Sequence, residues 1–301
     1  MSTQTTAAQE SLAVPTASAG RKPWIITMGA AWRMRRTKLG MGIIVSVLML
    51  AVLGPYAAPH SPTEFVAAPF ATPGSTVWLG ADYIGRDVLS RVLYGGRTVL
   101  ALAFAATLIG VGLGAGLGLI AGYARKSIDE VIMRGLDVLL AFPSIILALL
   151  FVSIMGPELW LIVLMVGLSH MPRVARVARA ATLEVAQRDF VRAAEALGVP
   201  KAKILLSEIL PNMASPLLVE FGLRMTYSIG IIAALSFLGF GLQPPTADWG
   251  LMINENRVGI DIQPWAVLVP IALIGILTIG TNLIADGLGR ALAGHDRETA
   301  E

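Results

Sequence analysis

The fold is decided first by residues 98–123, which read TVLALAFAATLIGVGLGAGLGLIAGY and contain no charged side chain. A helix needs about 20 apolar residues to cross the hydrocarbon core of a bilayer, and this stretch exceeds that length. Its glycines recur every four residues, which places them on one face of a helix, where small residues let a second backbone approach closely. The stretch therefore predicts a membrane span that packs tightly, within its own subunit or against a partner, on Gly110, Gly114, Gly118 and Gly122.

Further apolar stretches on both sides of this one predict five more spans. The fourth span in chain order is short and crosses only if it continues past Val174 and Val177, so a re-entrant segment is its alternative interpretation. Pro143 lies inside the third span and predicts a kink there. The five stretches are residues 39–58, 136–155, 159–171, 216–240 and 265–288.

The composition supports a membrane protein and excludes several other classes. The chain of 301 residues is 55% hydrophobic and only 14% charged, whereas soluble domains are about 25% charged. A soluble enzyme, a disordered chain and a nucleic-acid-binding domain are therefore excluded. Since there is no cysteine, thiolate zinc sites, iron–sulfur clusters and disulfides are excluded as well. We predict an all-α polytopic membrane protein with six transmembrane helices.

The basic residues predict the orientation of the spans. If the N-terminus is cytoplasmic, only four of the 23 basic residues lie on the exterior side and one, Arg224, lies within a span. The four exterior residues are Arg86, Arg91, Arg97 and Arg257. Because cytoplasmic loops of membrane proteins are enriched in lysine and arginine, this asymmetry places both termini in the cytoplasm and requires an even number of spans.

The same reasoning divides the chain into four parts. Residues 1–20 form a disordered cytoplasmic tail rich in serine, threonine and alanine, and residues 21–97 comprise a basic interfacial helix, the first span and an exterior loop. Residues 98–290 form a five-span core with a cytoplasmic loop at 173–215, and residues 291–301 form a second cytoplasmic tail.

No pattern in the chain predicts catalysis or metal binding. The three histidines, His60, His170 and His295, are far apart and lack the spacing of metal ligands. Residues 80–87, GADYIGRD, come nearest to a phosphate-binding loop, but they have Arg and Asp where Lys and Ser or Thr are required. We therefore expect no metal, no cofactor in this chain and no enzyme activity of its own.

The cytoplasmic loop contains the most informative segment, residues 190–212, which read FVRAAEALGVPKAKILLSEILPN. The pattern predicts a helix from Thr182 to Leu197, a turn at Gly198, and a second helix from Pro200 to Ile209 that Pro211 ends. Such a helical hairpin either joins two spans or docks into a groove of another protein.

The spacing of this hairpin resembles the EAA motif of the permeases of ABC importers. The resemblance rests on Ala193, Ala194 and Gly198, followed by Leu210 and Pro211. In that family the motif forms a coupling helix that sits in a cleft of an ATPase subunit. The chain departs from the pattern at Arg192, where the family has Glu, and we interpret Glu195 as the residue that supplies the missing carboxylate.

Two more motifs narrow the resemblance to the C-type permease subunits of dipeptide, oligopeptide and nickel importers. They are residues 78–97, WLGADYIGRDVLSRVLYGGR, and residues 235–252, LSFLGFGLQPPTADWGLM. The resemblance covers residues 24–290 and implies a type I ABC importer permease fold in a bacterial inner membrane. It also implies four partners: a homologous B-type permease, two ABC ATPase subunits that carry ATP and magnesium, and an extracytoplasmic substrate-binding protein.

Peptides are the favoured substrate, and nickel or another small solute is the alternative. A self-sufficient secondary transporter is a weaker rival, because the chain shows neither an inverted repeat nor an isolated acidic residue in mid-span. The candidates for the translocation path are polar groups in the spans, namely Glu220, Arg224, Ser228, Ser236 and Asn282. Glu220 and Arg224 are one turn apart and are expected to pair.

The exterior segment around Arg86, Asp87 and Arg91 has two interpretations. It is either a structural turn whose charged groups and Ser90 satisfy one another locally, which we favour, or part of a gate or dock for the binding protein.

Overall fold

The computed structural model describes the backbone of residues 23–298 and the side chains of residues 24–294. The predicted tail 1–20 lies outside the described residues. The chain is all-α in its described part: α1 Pro23–Arg33, α2 Arg35–Ala57, α3 Val88–Tyr123, α4 Lys126–Leu140, α5 Ser144–Met155, α6 Leu159–Ala186, α7 Asp189–Ala196, α8 Lys201–Lys203, a π-helix Ile204–Ile209, α9 Leu210–Asn212, α10 Ala214–Phe237, α11 Trp249–Asn256, a 3-10 helix Arg257–Gly259 and α12 Trp265–Glu298.

Six membrane spans are present, as the apolar stretches predict. Five helices, α2, α3, α6, α10 and α12, are each long and apolar enough to cross a bilayer. The sixth span is the pair α4 and α5, which bend by 78° at the break before Ser144. Pro143 therefore marks the bend that the sequence predicts, because proline disfavours the helical conformation in the residue before it.

The fourth predicted span is a full helix. α6 continues from Leu159 to Ala186, 28 residues, so the helix extends well beyond the short apolar stretch. The alternative interpretation of this stretch as a re-entrant segment is therefore wrong. α12 likewise continues to Glu298, so most of the predicted tail at 291–301 is the end of a helix.

The chain reverses direction at the ends of these spans, so the segments that connect them lie on two opposite sides of the helix bundle. We call the hairpin side the one that carries residues 187–213, and the loop side the one that carries residues 58–87 and 238–264. On the hairpin side, Met34 adopts an extended conformation and separates α1 from α2. Thr27 of α1 lies within hydrogen-bonding distance of Ser215 of α10, 3.0 Å between their hydroxyl oxygens.

The glycine face of α3 packs against α6 inside the subunit. A Cβ atom at Gly110 or Gly114 would lie 2.7 Å from the carbonyl oxygen of Gly167 or Met171, respectively. At the other end of the face, a Cβ atom at Gly122 would lie 2.7 Å from the Cβ of Thr182. The backbones therefore touch along several turns, as the spacing of the glycines predicts.

A proline in α2 is compensated by an arginine of α3. Pro55 has no N–H with which to bond the carbonyl of Ala51 four residues earlier. The guanidinium of Arg97 donates to that carbonyl at 2.7 Å and to the carbonyl of Val52 at 2.7 Å. The pairing joins the loop-side ends of α2 and α3.

Candidate functional site

The hairpin at residues 187–213 is the candidate for partner binding, and its first turn differs from the prediction. A single helix from Thr182 to Leu197 is wrong, because the chain breaks at Gln187 and Arg188 and restarts at Asp189. An aspartate in the first turn of a helix interacts favourably with the N-terminal dipole. The break turns α7 away from the axis of α6.

The second arm of the hairpin also differs from the prediction. Pro211 does not end a helix, since the chain stays helical to Asn212. The π-helix immediately before α9 shifts the register, so that Leu210 N–H donates to the carbonyl of Leu205. Pro211 then occupies the first turn of α9, where a missing N–H costs little.

The turn between the two arms forms around Gly198. This residue has φ +72°, a conformation that glycine adopts without steric cost. The N–H of Gly198 donates to the carbonyl of Glu195 at 3.0 Å, and that of Val199 donates to the carbonyl of Ala194 at 3.1 Å. These two bonds are those of a Schellman motif, which confirms the predicted helix stop.

An apolar cluster fixes the hairpin to the spans. Val191, Ile204 and Ile209 are fully buried, and they pack with Leu119 of α3 and Ala178 of α6. Two of the predicted coupling residues, Ala194 and Leu210, are partly buried and pack against this cluster. Pro211 is half-buried. The hairpin is therefore held as a rigid extension of the bundle.

The outer face of the hairpin is exposed and apolar. Arg192, Ala193, Glu195 and Gly198 are exposed, and they lie beside two leucines that sequence reasoning did not single out. Leu197 is 83% exposed and Leu206 is 63% exposed. Leu197 directly follows α7 and Leu206 lies in the π-helix, so their exposure depends on where these short helices end, which the sequence pattern did not predict.

Glu195 has a partner within its own chain. Its carboxylate accepts a hydrogen bond from the hydroxyl of Tyr123, at the end of α3, at 2.5 Å. Glu195 is nevertheless exposed, and its interpretation as the replacement for the family's Glu at position 192 stays a prediction. Arg192 is exposed and remains available to a partner.

The candidates for the translocation path do not form one site. Glu220 and Arg224 pair at 3.0 Å, as their spacing predicts. Ser228 is fully buried and lies 2.9 Å from the hydroxyl of Thr107 and 3.0 Å from Nε2 of His170. Ser236 is also buried, whereas Asn282 is exposed on α12. The two serines are thus enclosed within the subunit.

On the loop side, a buried ion network joins two distant segments. Arg86 and Arg91 both contact Asp82, at 2.6 and 2.8 Å, and both contact Glu255 of α11, at 3.2 and 2.7 Å. The guanidinium of Arg86 also lies over the ring of Tyr83, 5.4 Å from its centre. Both arginines are almost fully buried, and their charges are paired with carboxylates of the same chain.

The predicted local pairing is therefore correct for Asp87 and Ser90 but wrong for the two arginines, whose partners are Asp82 and Glu255. Asp87 caps α3, accepting bonds from the N–H of Ser90 at 2.9 Å and from its hydroxyl at 2.6 Å. Sequence reasoning missed Asp82 as a partner and missed Glu255 altogether. The buried positions of Arg86, Asp87 and Arg91 fit the structural interpretation of this segment.

The environment of Glu255 sets its protonation. Burial raises the pKa of Glu255 from 4.5 to about 7, while the charge of Arg86 opposes that rise. Burial also raises the pKa of Tyr83, whose hydroxyl lies 3.4 Å from the Glu255 carboxylate. Burial thus favours the protonated form of Glu255, whereas the guanidinium of Arg86 favours its charged form.

Trp249 connects the two loop-side motifs. Its indole is fully buried and its N–H donates to the carbonyl of Val92 at 2.9 Å. A Cβ atom at Gly95 or Gly96 would lie 2.8 or 2.7 Å from the indole ring. Asp248 caps the start of α11 by accepting from the N–H of Leu251 at 3.0 Å. These contacts explain why the two motifs have glycine and tryptophan at these positions.

Comparison with known proteins gives one family. The family described as "Binding-protein-dependent transport system inner membrane component" matches residues 114–294, a range that includes the whole hairpin. No group of three or more histidine, aspartate or glutamate side chains that could hold a metal ion occurs within the described residues.

Several relatives are similar over most of their length. The chain is 35% identical over 271 residues to a dipeptide transport system permease protein of Alkalihalophilus pseudofirmus, which covers 90% of this chain and 89% of that protein. It is 41% identical over 220 residues to a glutathione transport system permease protein of Pectobacterium atrosepticum, covering 73% of each chain. A dipeptide transport system permease protein of Haemophilus influenzae is 35% identical over 265 residues, with 86% of this chain and 90% of that protein covered.

Proposed function

Because this chain belongs to the family of inner membrane components of binding-protein-dependent transport systems, we propose that it is a permease subunit of an ATP-driven importer of di- and oligopeptides. It forms half of the translocation path and pairs with a homologous B-type permease. Two ABC ATPase subunits bind on its hairpin side, which is cytoplasmic. A substrate-binding protein delivers the solute to its loop side.

The exposed apolar face of the hairpin carries this proposal. Leu197 and Leu206 lie outside the spans and are 83% and 63% exposed. Apolar side chains grouped on a compact helical module are typical of a surface that a partner covers. Their neighbours Lys201 and Lys203 are exposed as well, which suits a partner with acidic residues at the rim of its groove.

The hairpin is suited to transmit movement in both directions. It is joined to α3 through Tyr123 and Glu195 and to α6 through the buried cluster around Val191. When ATP draws the two ATPase subunits together, the hairpins of both permeases move with them. The permeases then rock to open the path toward the binding protein, and hydrolysis returns them to the inward-facing state.

Peptides are the substrate class that the relatives favour. Relatives similar over most of this chain are named as dipeptide and glutathione transport permeases, and glutathione is itself a small peptide. Uptake of dialanine by the assembled transporter, measured against uptake of nickel, tests this part. Uptake of nickel without uptake of peptide would contradict it.

The coupling role is tested by changing one exposed leucine. In the transporter reconstituted with its partner subunits, Leu197→Asp should reduce substrate-stimulated ATP hydrolysis at least about tenfold, because a charge would have to be buried in the ATPase groove. The matched control is Val258→Asp on the loop side, since Val258 is 82% exposed. It should leave the affinity for the ATPase subunits unchanged, because the loop side is proposed to contact the substrate-binding protein and not the ATPase subunits.

Two outcomes would contradict the proposal. One is that Leu197→Asp retains the hydrolysis rate and the ATPase affinity of the unchanged protein. The other is that the chain alone, reconstituted without ATPase subunits, takes up solute under an ion gradient. Amounts of membrane-inserted protein should be equal for both variants, because both positions are exposed.

A further inference from the structure

A cavity of about 450 Å³ lies at the bend between α4 and α5. Its wall includes the break itself, Ser144 at the start of α5, Ser169 and Arg173 of α6, and Tyr227 of α10. This volume falls in the range of sites for small molecules. The cavity was not among the sites that the sequence predicts, because its wall comes from four separate helices.

The cavity lies within the span region, in the half nearer the hairpin side. Arg173 is 14 positions from the start of α6 at Leu159, which corresponds to about 21 Å along the helix in a hydrocarbon core about 30 Å thick. Phe142 and Pro143 lie in the break between α4 and α5, outside regular helix, and are exposed. Irregular backbone at such depth is tolerated only where it is buried in protein or lines a water-filled space.

The charge of Arg173 is not compensated. The other arginines of α6 and α10 have carboxylate partners: Arg176 with Asp137 at 2.5 Å, Arg179 with Asp129 at 2.5 Å, and Arg224 with Glu220 at 3.0 Å. Within the part of the chain that the structure describes, Arg173 forms no such pair, and no aspartate or glutamate lines the cavity. An ionisable residue at this depth marks a functional position by default.

The rest of the wall adds donors and apolar surface. Tyr227 and Ser144 bring hydroxyl groups to the cavity, and Leu168 and Ile231 bring apolar side chains. The ring of Tyr227 also makes a cation–π contact, since the guanidinium of Arg224 lies 5.1 Å from its centre. The cavity therefore combines one positive charge, hydroxyl donors and an apolar wall.

We propose that this cavity is a binding site for the carboxylate of the transported solute on its way through the membrane. A guanidinium binds a carboxylate through two parallel hydrogen bonds, and Arg173 is the group that offers them here. The solute's ammonium group is repelled from the same end. For a peptide, the C-terminal carboxylate is the group bound and the neighbouring side chain meets the apolar wall. The inference rests on the proposed function for the identity of the solute.

The absence of cysteine from the sequence makes a direct test feasible. Ala141 lines the cavity and is exposed, so Ala141→Cys places a single thiol there. The assembled transporter carrying this variant is reconstituted in phosphatidylcholine vesicles. The thiol is then labelled with an anionic and with a cationic methanethiosulfonate reagent, and each rate is divided by the rate with free 2-mercaptoethanol.

The anionic reagent should react faster than the cationic one by at least about fivefold, because Arg173 attracts it. Adding Arg173→Gln should remove that preference. The control is Arg134→Gln, since Arg134 is an exposed arginine of α4 that does not line the cavity, and it should keep the preference. Dialanine should slow the labelling, whereas dialanine amide, which lacks the carboxylate, should not.

The proposal is overturned if the two reagents react equally, if Arg173→Gln leaves their ratio unchanged, or if dialanine amide protects as well as dialanine. These measurements do not require transport. Normal charge preference and normal protection, together with no ATP-driven uptake of peptide, would contradict the proposed function while the carboxylate site stands.

Discussion

The loop side and the hairpin side of this protein use their side chains in opposite ways. On the loop side, two arginines and two carboxylates are buried and bonded to one another within the chain. On the hairpin side, Leu197 and Leu206 are left exposed on a module that is itself firmly packed. The charges of the loop side are paired within the chain, whereas the exposed leucines of the hairpin side leave a surface that another protein can cover.

The largest effect should come from breaking the loop-side network. Arg91 is fully buried and contacts both Asp82 and Glu255. Arg91→Ala leaves two buried carboxylates with one guanidinium, which costs about 3–5 kcal/mol. We expect a large loss of folded protein after detergent extraction and a much lower midpoint of thermal unfolding.

The control for that change is an exposed arginine of the same side. Arg257 is exposed and lies 5.9 Å from the ring centre of Phe237, so Arg257→Ala should have a small effect. Equal unfolding midpoints for the two variants would show that the network does not hold the loop side together.

A smaller effect should appear in the pH dependence of stability. The pKa of Glu255 is raised from 4.5 to about 7 in the folded protein, so between these values the folded state binds more protons than the unfolded state. The contribution of Glu255 to the free energy of unfolding is therefore greatest below pH 4.5 and is lost as the pH rises through 7. Over the whole range the change amounts to about 3 kcal/mol.

Glu255→Gln isolates this contribution, because an amide does not titrate while its oxygen still accepts from the arginines. Thermal unfolding between pH 5 and pH 8 should show a steeper loss of stability for the unchanged protein than for the variant. Parallel curves would show that Glu255 does not titrate in this range.

The smallest effect should come from the contact between the hairpin and α3. Tyr123→Phe removes the hydrogen bond to Glu195, which costs about 1 kcal/mol. Hydrogen exchange of the α7 amides should become about fivefold faster, while exchange on the loop side stays the same. Glu184→Gln is the control, because within the described residues the carboxylate of Glu184 pairs with the exposed Arg188. If the α7 amides also exchange faster in that variant, the stabilising role of the Tyr123–Glu195 hydrogen bond is contradicted.

The sequence predicts the spans and turns well because these depend on local patterns. The apolar stretches locate six spans, Pro143 predicts the bend, and Gly198 predicts the turn of the hairpin. The glycine spacing of α3 predicts close packing, although only the structure shows that α6 is the partner. In each case the deciding residues are within a few turns of one another.

Partners far apart in the chain escape such reasoning. Glu255 is separated from Arg91 by 164 positions, and nothing in the spacing of either residue indicates the other. The local interpretation therefore finds the contact between Asp87 and Ser90 but not the partners of the two arginines. The end of the second hairpin helix was also mispredicted, because a π-helix changes the register before Pro211 and no residue type signals it.

The length of α3 has a mechanical consequence. Its 36 residues measure about 54 Å, with the arginine network at one end and the hydroxyl of Tyr123 at the other. From residue 110 to residue 122, its backbone rests directly on α6, because the facing residues are glycines. The two helices therefore move as one rigid unit, and a displacement of the hairpin at one end is transmitted to the loop side at the other.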